Sequence, residues 1–178
     1  MTLPGSDTTG AASPPVWRPM REGDLAGVHA LAKRVHLEYP EAPEVARERL
    51  ALGGAWCSVL DDGTTILGYL IAHPWKRFAP PALDTLLGEP AEDPDCLYLH
   101  DFVIAPERRG HGDAPLLLAP LFSQALESFP TIALVSIAGL DGYWRRWGFS
   151  VVSVPGIDAI LGSYDVNAVY MERDGASS

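Results

Sequence analysis

Apolar positions in this chain fall into blocks of period two and blocks of period three to four, which follow one another from residue 16 onward. Residues 16–20 read as a short strand. Over 24–37, Leu25, Val28, Leu31, Ala32 and Val35 share one helical face. Pro40 and Pro43 interrupt that pattern, and the spacing predicts a second short helix over 44–52. Residues 55–60 and 65–73 form a predicted hairpin across Asp61-Asp62-Gly63. A proline-rich insert, 74–94, carries Trp75, Phe78 and Leu83 and is too long for an ordinary connection. It is expected to be a functional loop or a short helical lid.

Residues 97–104 are rich in β-formers and read as a strand. Leu116, Leu117, Leu118, Leu121, Phe122 and Leu126 then return at helical spacing. Pro115 suits the first turn of that helix, whereas Pro120 predicts a kink or break near Ala119. A strand over 131–137, a short helix over 141–146 and strands over 149–154 and 168–172 complete the reading. No internal repeat is present.

Composition narrows the class. The 178 residues are 47% hydrophobic and 20% charged, which suits one globular domain, 16–174, between a flexible N-terminal tail at 1–15 and a C-terminal tail at 175–178. Apolar runs fall short of the roughly 20 residues needed to span a bilayer, and no secretory signal is visible. Cys57 and Cys96 lack metal-ligand spacing and are expected to be reduced. These features predict a soluble cytoplasmic protein with no metal and no membrane partner. A net charge of -10 argues against nucleic acid and is compatible with a cationic amine substrate, or serves solubility alone.

The chemistry concentrates at the junction of strand 97–104 and the helix after it. Gly110 and Gly112 leave backbone N–H groups uncovered, and the helix start adds its own unpaired donors and the positive end of its dipole. Such a turn can cradle a phosphate without a basic protein around it. The dinucleotide fingerprint does not fit, since Pro115 stands at its last glycine, and no lysine follows the glycines as a phosphate loop requires.

The longer string from Val103 to Ala114, with Arg109, Gly112 and Ala114 at the defined positions of Arg/Gln-x-x-Gly-x-Gly/Ala, resembles the acetyl-CoA motif of the GCN5-related N-acetyltransferases. Downstream, Tyr143-Trp144-Arg145-Arg146-Trp147-Gly148-Phe149 resembles the segment after that family's fifth strand. The resemblance implies an α/β fold of the α+β type. Its central mixed, mostly antiparallel sheet would be flanked by helices, with the fourth and fifth strands splayed. It implies acetyl-CoA as co-substrate, a small-molecule or peptide amine as acceptor, and direct attack in a ternary complex. It leaves open a homodimer. An acyl-CoA-binding regulatory module without turnover is the alternative function.

The same resemblance assigns residues. The amides of Arg109, Gly110, His111, Gly112, Asp113 and Ala114 would hold the pyrophosphate, with Arg108 or Arg109 adding a contact. Backbone groups of Phe102, Val103 and Ile104 would pair with the pantetheine arm as an added strand. His100, nine residues before Arg109, stands where related enzymes carry a catalytic histidine and can serve as a base near neutral pH; a hydrogen-bonded core histidine is the other reading. On a regular strand Tyr98, His100 and Phe102 share one face, so Asp101 stands apart from His100 unless a bulge re-aims it. The family's general-acid tyrosine is replaced by Trp144, whose indole cannot supply a proton. Tyr143, one residue earlier, is the remaining catalytic candidate, with core packing as its simpler role. Ile137 stands where the family frequently has Asn. His73 and Trp75 are candidates to line the acceptor pocket or, more simply, to close a strand end.

Overall fold

The structure, a computed structural model, describes residues 14–137 and 139–175; the two tails expected from sequence lie outside them, apart from 14, 15 and 175. Seven strands form one sheet: β1 (Val16–Pro19), β2 (Ser58–Asp61), β3 (Ile66–Trp75), β4 (Cys96–Ile104), β5 (Thr131–Ser136), β6 (Ser150–Val151) and β7 (Val169–Asp174). Their order is β1-β2-β3-β4-β5-β7-β6. The β4–β5 pair is parallel and the other five pairs are antiparallel. A parallel neighbour needs a crossover, and α3 (Asp113–Ser128) supplies it.

Two apolar faces cover the sheet. Leu117, Leu118, Leu121, Phe122 and Ala125 of α3 pack on Leu70, Ala72, Leu97, Leu99, Ile132 and Leu134. On the other side, Leu25, Val28 and Leu31 close over Val59, Tyr69, Ile71 and Val103. They come from α1 (Leu25–Val35), which lies with α2 (Pro43–Gly53) on that face. One buried stripe on each of α1 and α3, and side chains that alternate between two covered faces in β3, β4 and β5, make these faces meet.

Departures from the sequence reading have local causes. Residues 54–56 form a 3-10 turn, so the hairpin begins only at Ser58. α3 is unbroken through Pro120, because that residue lies on the exposed face, as does Leu116, whose carbonyl loses its partner there. The insert continues β3 as far as Trp75 and then contains no helix. Side chains tie it down instead: Arg77 grips the Glu172 carboxylate at 3.1 and 2.6 Å, and the buried Arg49 donates to the Thr85 carbonyl at 2.6 Å. The short helix expected at 141–146 is α4 (Asp141–Arg145), and a further one, α5 (Asp158–Leu161), appears where none was expected. Cys57 and Cys96 are free thiols, both fully buried. No helix among the described residues is long and apolar enough to cross a membrane.

Candidate active site

The register of β4 sets the site. Its first residues, Cys96 to Leu99, pair with Thr131 to Leu134 of β5, and there the parallel ladder stops. On its other edge β4 stays bonded to β3 as far as Ile104. The two parallel strands therefore part beyond Leu99, and one edge of residues 100–104 opens on a gap. Ala105 donates to the Leu67 carbonyl at 2.8 Å, which fixes the alternation of the ladder. Phe102 and Ile104 then present their main-chain groups to the gap, while those of Val103 are turned toward β3. Of the three residues expected to hold an added strand, Val103 lines the cleft but turns its main-chain groups toward β3.

At the end of the gap stands the glycine turn. Gly110 and Gly112 have φ of +82° and +84°, and no atom lies within 4 Å of a Cβ placed on either. Glycine is required by backbone conformation rather than by crowding. The amides of Arg109 and His111 are already spent, donating to the carbonyls of Pro106 at 3.3 Å and Arg108 at 3.4 Å. Those of Gly110, Gly112, Asp113 and Ala114 donate to no acceptor among the described residues. Four free donors at the start of a 16-residue helix suit a diphosphate. Arg108 is held by the Asp113 carboxylate at 3.1 and 2.9 Å, which offsets the one acidic side chain in the first turn. Arg109 uses its Nε on the Ile104 carbonyl at 3.2 Å. The turn opens into a cleft of ≈640 Å³ that also meets Tyr143 and Trp144.

The cleft shares Val35, His36, Phe102, Leu140 and Trp144 with a second chamber of ≈250 Å³. His100 lies in this chamber, and it lies on a bulge. Ile71 faces Asp101 and Ala72 faces Leu99, so His100 is the extra residue in β4. The bulge resets the alternation. Phe102 joins the α3 side of the sheet with Leu97 and Leu99, which corrects the expectation that it shares a face with Tyr98 and His100. Asp101 now stands beside His100 on the α1–α2 side, where it accepts from the Tyr69 hydroxyl at 2.6 Å.

Two histidine–carboxylate pairs result. His100 Nε2 meets Glu41 Oε2 at 2.9 Å, and His36 Nε2 meets Asp101 Oδ1 at 3.0 Å. Burial opposes charge on Glu41, but hydrogen bonds from His100 and the Asp84 amide outweigh it and hold its carboxyl below the usual range. Asp101 behaves likewise, with His36 and Tyr69 overcoming burial. For His36, burial pulls the imidazolium down while Asp101 and Glu41 raise it further, so its pKa is raised on balance. The two rings differ in access, His36 keeping 22% of its side chain exposed and His100 only 3%. His100 Nδ1 is buried with no partner among the described residues.

Trp144 is buried, stacks edgewise on Phe102 at 6.2 Å and lines both chambers. Tyr143 lines only the cleft beside the glycine turn; burial raises its pKa, so it stays protonated at neutral pH. Ile137 lines the inner chamber. His73 and Trp75 lie outside both linings. His73 is fully buried; desolvation, with the nearby His100 charge, pulls its pKa down to about 3. The unfolded chain therefore binds that proton first, and stability falls as pH drops below about 6.5. A His73→Leu protein is expected to lose about 2 kcal/mol less than the parent between pH 7 and pH 5, measured by urea unfolding at both values.

Sequence reasoning missed His36, Tyr39, Glu41 and Tyr164, all of which line the inner chamber. The signal was present as four ionisable side chains, His36, Glu38, Tyr39 and Glu41, crowded where two prolines interrupt the helices.

The sequence matches the model of the acetyltransferase (GNAT) family over residues 25–149. The chain belongs to this family. Membership supports acyl transfer in general, and the parting of β4 from β5 is the family feature that the resemblance implied. Among curated proteins, none matches the sequence. Solved structures share the fold. Ard1 from Thermoplasma volcanium superposes with a TM-score of 0.69 at 14% identity, covering 92% of this chain and 99% of that one. The ribosomal-protein-S18-alanine N-acetyltransferase from Escherichia coli gives 0.62 at 15% identity, covering 92% and 96%. The GphF GNAT-like decarboxylase in complex with isobutyryl-CoA gives 0.71 at 18% identity, covering 89% and 98%. At these identities the likeness is one of fold.

Proposed function

We propose that this GNAT protein is an N-acetyltransferase that moves the acetyl group of acetyl-CoA to a primary amine by direct attack in a ternary complex. One observation carries the reading: four unspent amides at the start of α3 open into a cleft that leads, along the free edge of β4, to a chamber holding two histidine–carboxylate pairs. Anion cradle, strand edge and proton acceptor stand in the order in which diphosphate, pantetheine arm and reacting amine would need them.

Acetyl-CoA, when bound, supplies the thioester. The chain's residues do the rest. The amides of Gly110, Gly112, Asp113 and Ala114 hold the diphosphate, and Arg109, whose Nη atoms make no bond among the described residues, adds charge. The main-chain groups of Phe102 and Ile104 align the pantetheine amides. Glu41 fixes the His100 tautomer by accepting from Nε2–H, which leaves the lone pair on Nδ1; that atom is covered in this structure and takes the amine proton once the bound substrate has moved its neighbours aside. The amine nitrogen bonds to the carbonyl carbon and the C–S bond breaks. Tyr143 is the hydroxyl placed on the cofactor side to protonate the departing sulfur. The fold neighbour described as the ribosomal-protein-S18-alanine N-acetyltransferase supports this reading.

Trp144 at the family's tyrosine position favours a second reading, an acyl-CoA-binding module without turnover. Thiol release from acetyl-CoA, followed across a panel of primary amines, separates the two. Release that depends on amine concentration is expected; tight CoA binding with no release from any amine would leave only the second reading standing.

A further inference from the structure

The chamber that holds the two histidine–carboxylate pairs is walled by three loops, and hydrogen bonds join those loops end to end. From the α1–α2 connection, the Tyr39 hydroxyl donates to Asp165 Oδ2 at 2.8 Å, in the segment before β7. From that segment, the Tyr164 hydroxyl donates to the Pro81 carbonyl at 2.7 Å, and Ser163 Oγ accepts from the Leu83 amide at 3.1 Å, both in the insert. From the insert, Asp84 returns to the start: its amide donates to Glu41 Oε1 at 3.1 Å and its carboxylate accepts from the Ala42 amide at 2.7 Å. The circuit is closed. Each loop also contributes lining, Tyr39 and Glu41 from the first, Tyr164 from the second and Leu83 from the third.

Resting on the acetyltransferase reading above, we infer that this ring makes the acceptor a small primary amine with an apolar body, and that it excludes the N-terminus of a polypeptide. Size is the first reason. The chamber, open toward the cleft, offers ≈250 Å³, below the roughly 300–1,000 Å³ of sites that take drug-sized ligands. A peptide entering it would have to trail its chain out between loops that are bonded together. Chemistry is the second reason. The carboxylates of Glu41 and Asp101 favour an ammonium, while Leu83, Leu99, Leu134 and Leu140 offer only apolar contact to whatever carries it. The insert thereby acquires a role that its length alone left undefined. It is the third wall.

The test compares kcat/KM for n-hexylamine and phenethylamine with that for a set of hexapeptides bearing free N-termini, in the parent protein and in the Tyr39→Phe and Tyr164→Phe variants. The parent is expected to prefer the small amines by at least ~10-fold. Each variant removes one link of the ring and is expected to shift the ratio toward peptides by about fivefold, mainly through KM for the peptide. A loss of folded protein alone would scale both acceptor classes equally and leave the ratio fixed. Peptides acetylated as well as small amines by the parent would overturn the inference and leave the acetyltransferase reading intact. A small-amine preference that neither variant alters would remove the ring as its cause. If CoA binds but neither class releases thiol, the acetyltransferase reading fails and the inference falls with it.

Discussion

Replacing Gly112 by valine is expected to weaken CoA binding by about 10²-fold, the equivalent of two hydrogen bonds to a charged group. Gly112 caps α3 at φ +84°, in the left-handed region, and carries one of the four free amides. A β-branched residue there costs about 1–2 kcal/mol in backbone strain, and the turn would relieve it by rotating amides away from a common target. No neighbour stands within 4 Å of the new Cβ, so stability should fall only by that strain. The two effects are separable, with titration calorimetry against CoA reading affinity and urea unfolding reading stability. Unchanged affinity in a folded variant would show that the diphosphate does not sit at this turn.

Removing the His100 ring should slow the chemical step. General bases contribute about 10²–10⁴-fold, and a His100→Ala protein is expected to lose kcat by roughly 10²–10³ while KM for acetyl-CoA stays near its parent value. Glu41→Gln, which keeps the shape but removes the charge that orients the ring, should cost less, about tenfold. The comparison that decides the assignment is His36→Asn. His36 is the more accessible ring and is backed by Asp101 in the same way, so the structure offers two bases where sequence offered one. A larger loss from His36→Asn than from His100→Ala would transfer the role. Equal, small losses in both would remove histidine from the mechanism.

Period, breakers and glycines in the sequence fix most of the architecture. The one-face spacing of Leu25, Val28 and Leu31 becomes the buried stripe of α1, and the β-formers before Pro106 become β4. The turn proposed to cradle an anion is equally local, since two glycines at a strand–helix junction define it whatever surrounds them. Errors arose where a local rule met a non-local circumstance. Pro120 should break an isolated helix, yet its free carbonyl partner lies on the solvent side, where water substitutes. Regular alternation put Phe102 beside His100, yet the bulge against Ile71 and Ala72 moved it to the other face.

The sequence by itself determined the helix and strand segments, a glycine turn at the start of a helix and a histidine nine residues before Arg109, because each depends on residues within a dozen positions of one another. The splayed mixed sheet came only from the family resemblance, since its parallel pair joins Cys96 to Thr131. Tertiary structure alone decided what His100 touches, which main-chain groups along β4 are free, and how the acceptor end is closed. Glu41 meets His100 across 59 positions, and Tyr39 meets Asp165 across 126. Periodicity carries no information about such pairings. They exist only after the apolar faces of α1, α2 and α3 have been buried against the sheet, which fixes three otherwise independent loops around one chamber.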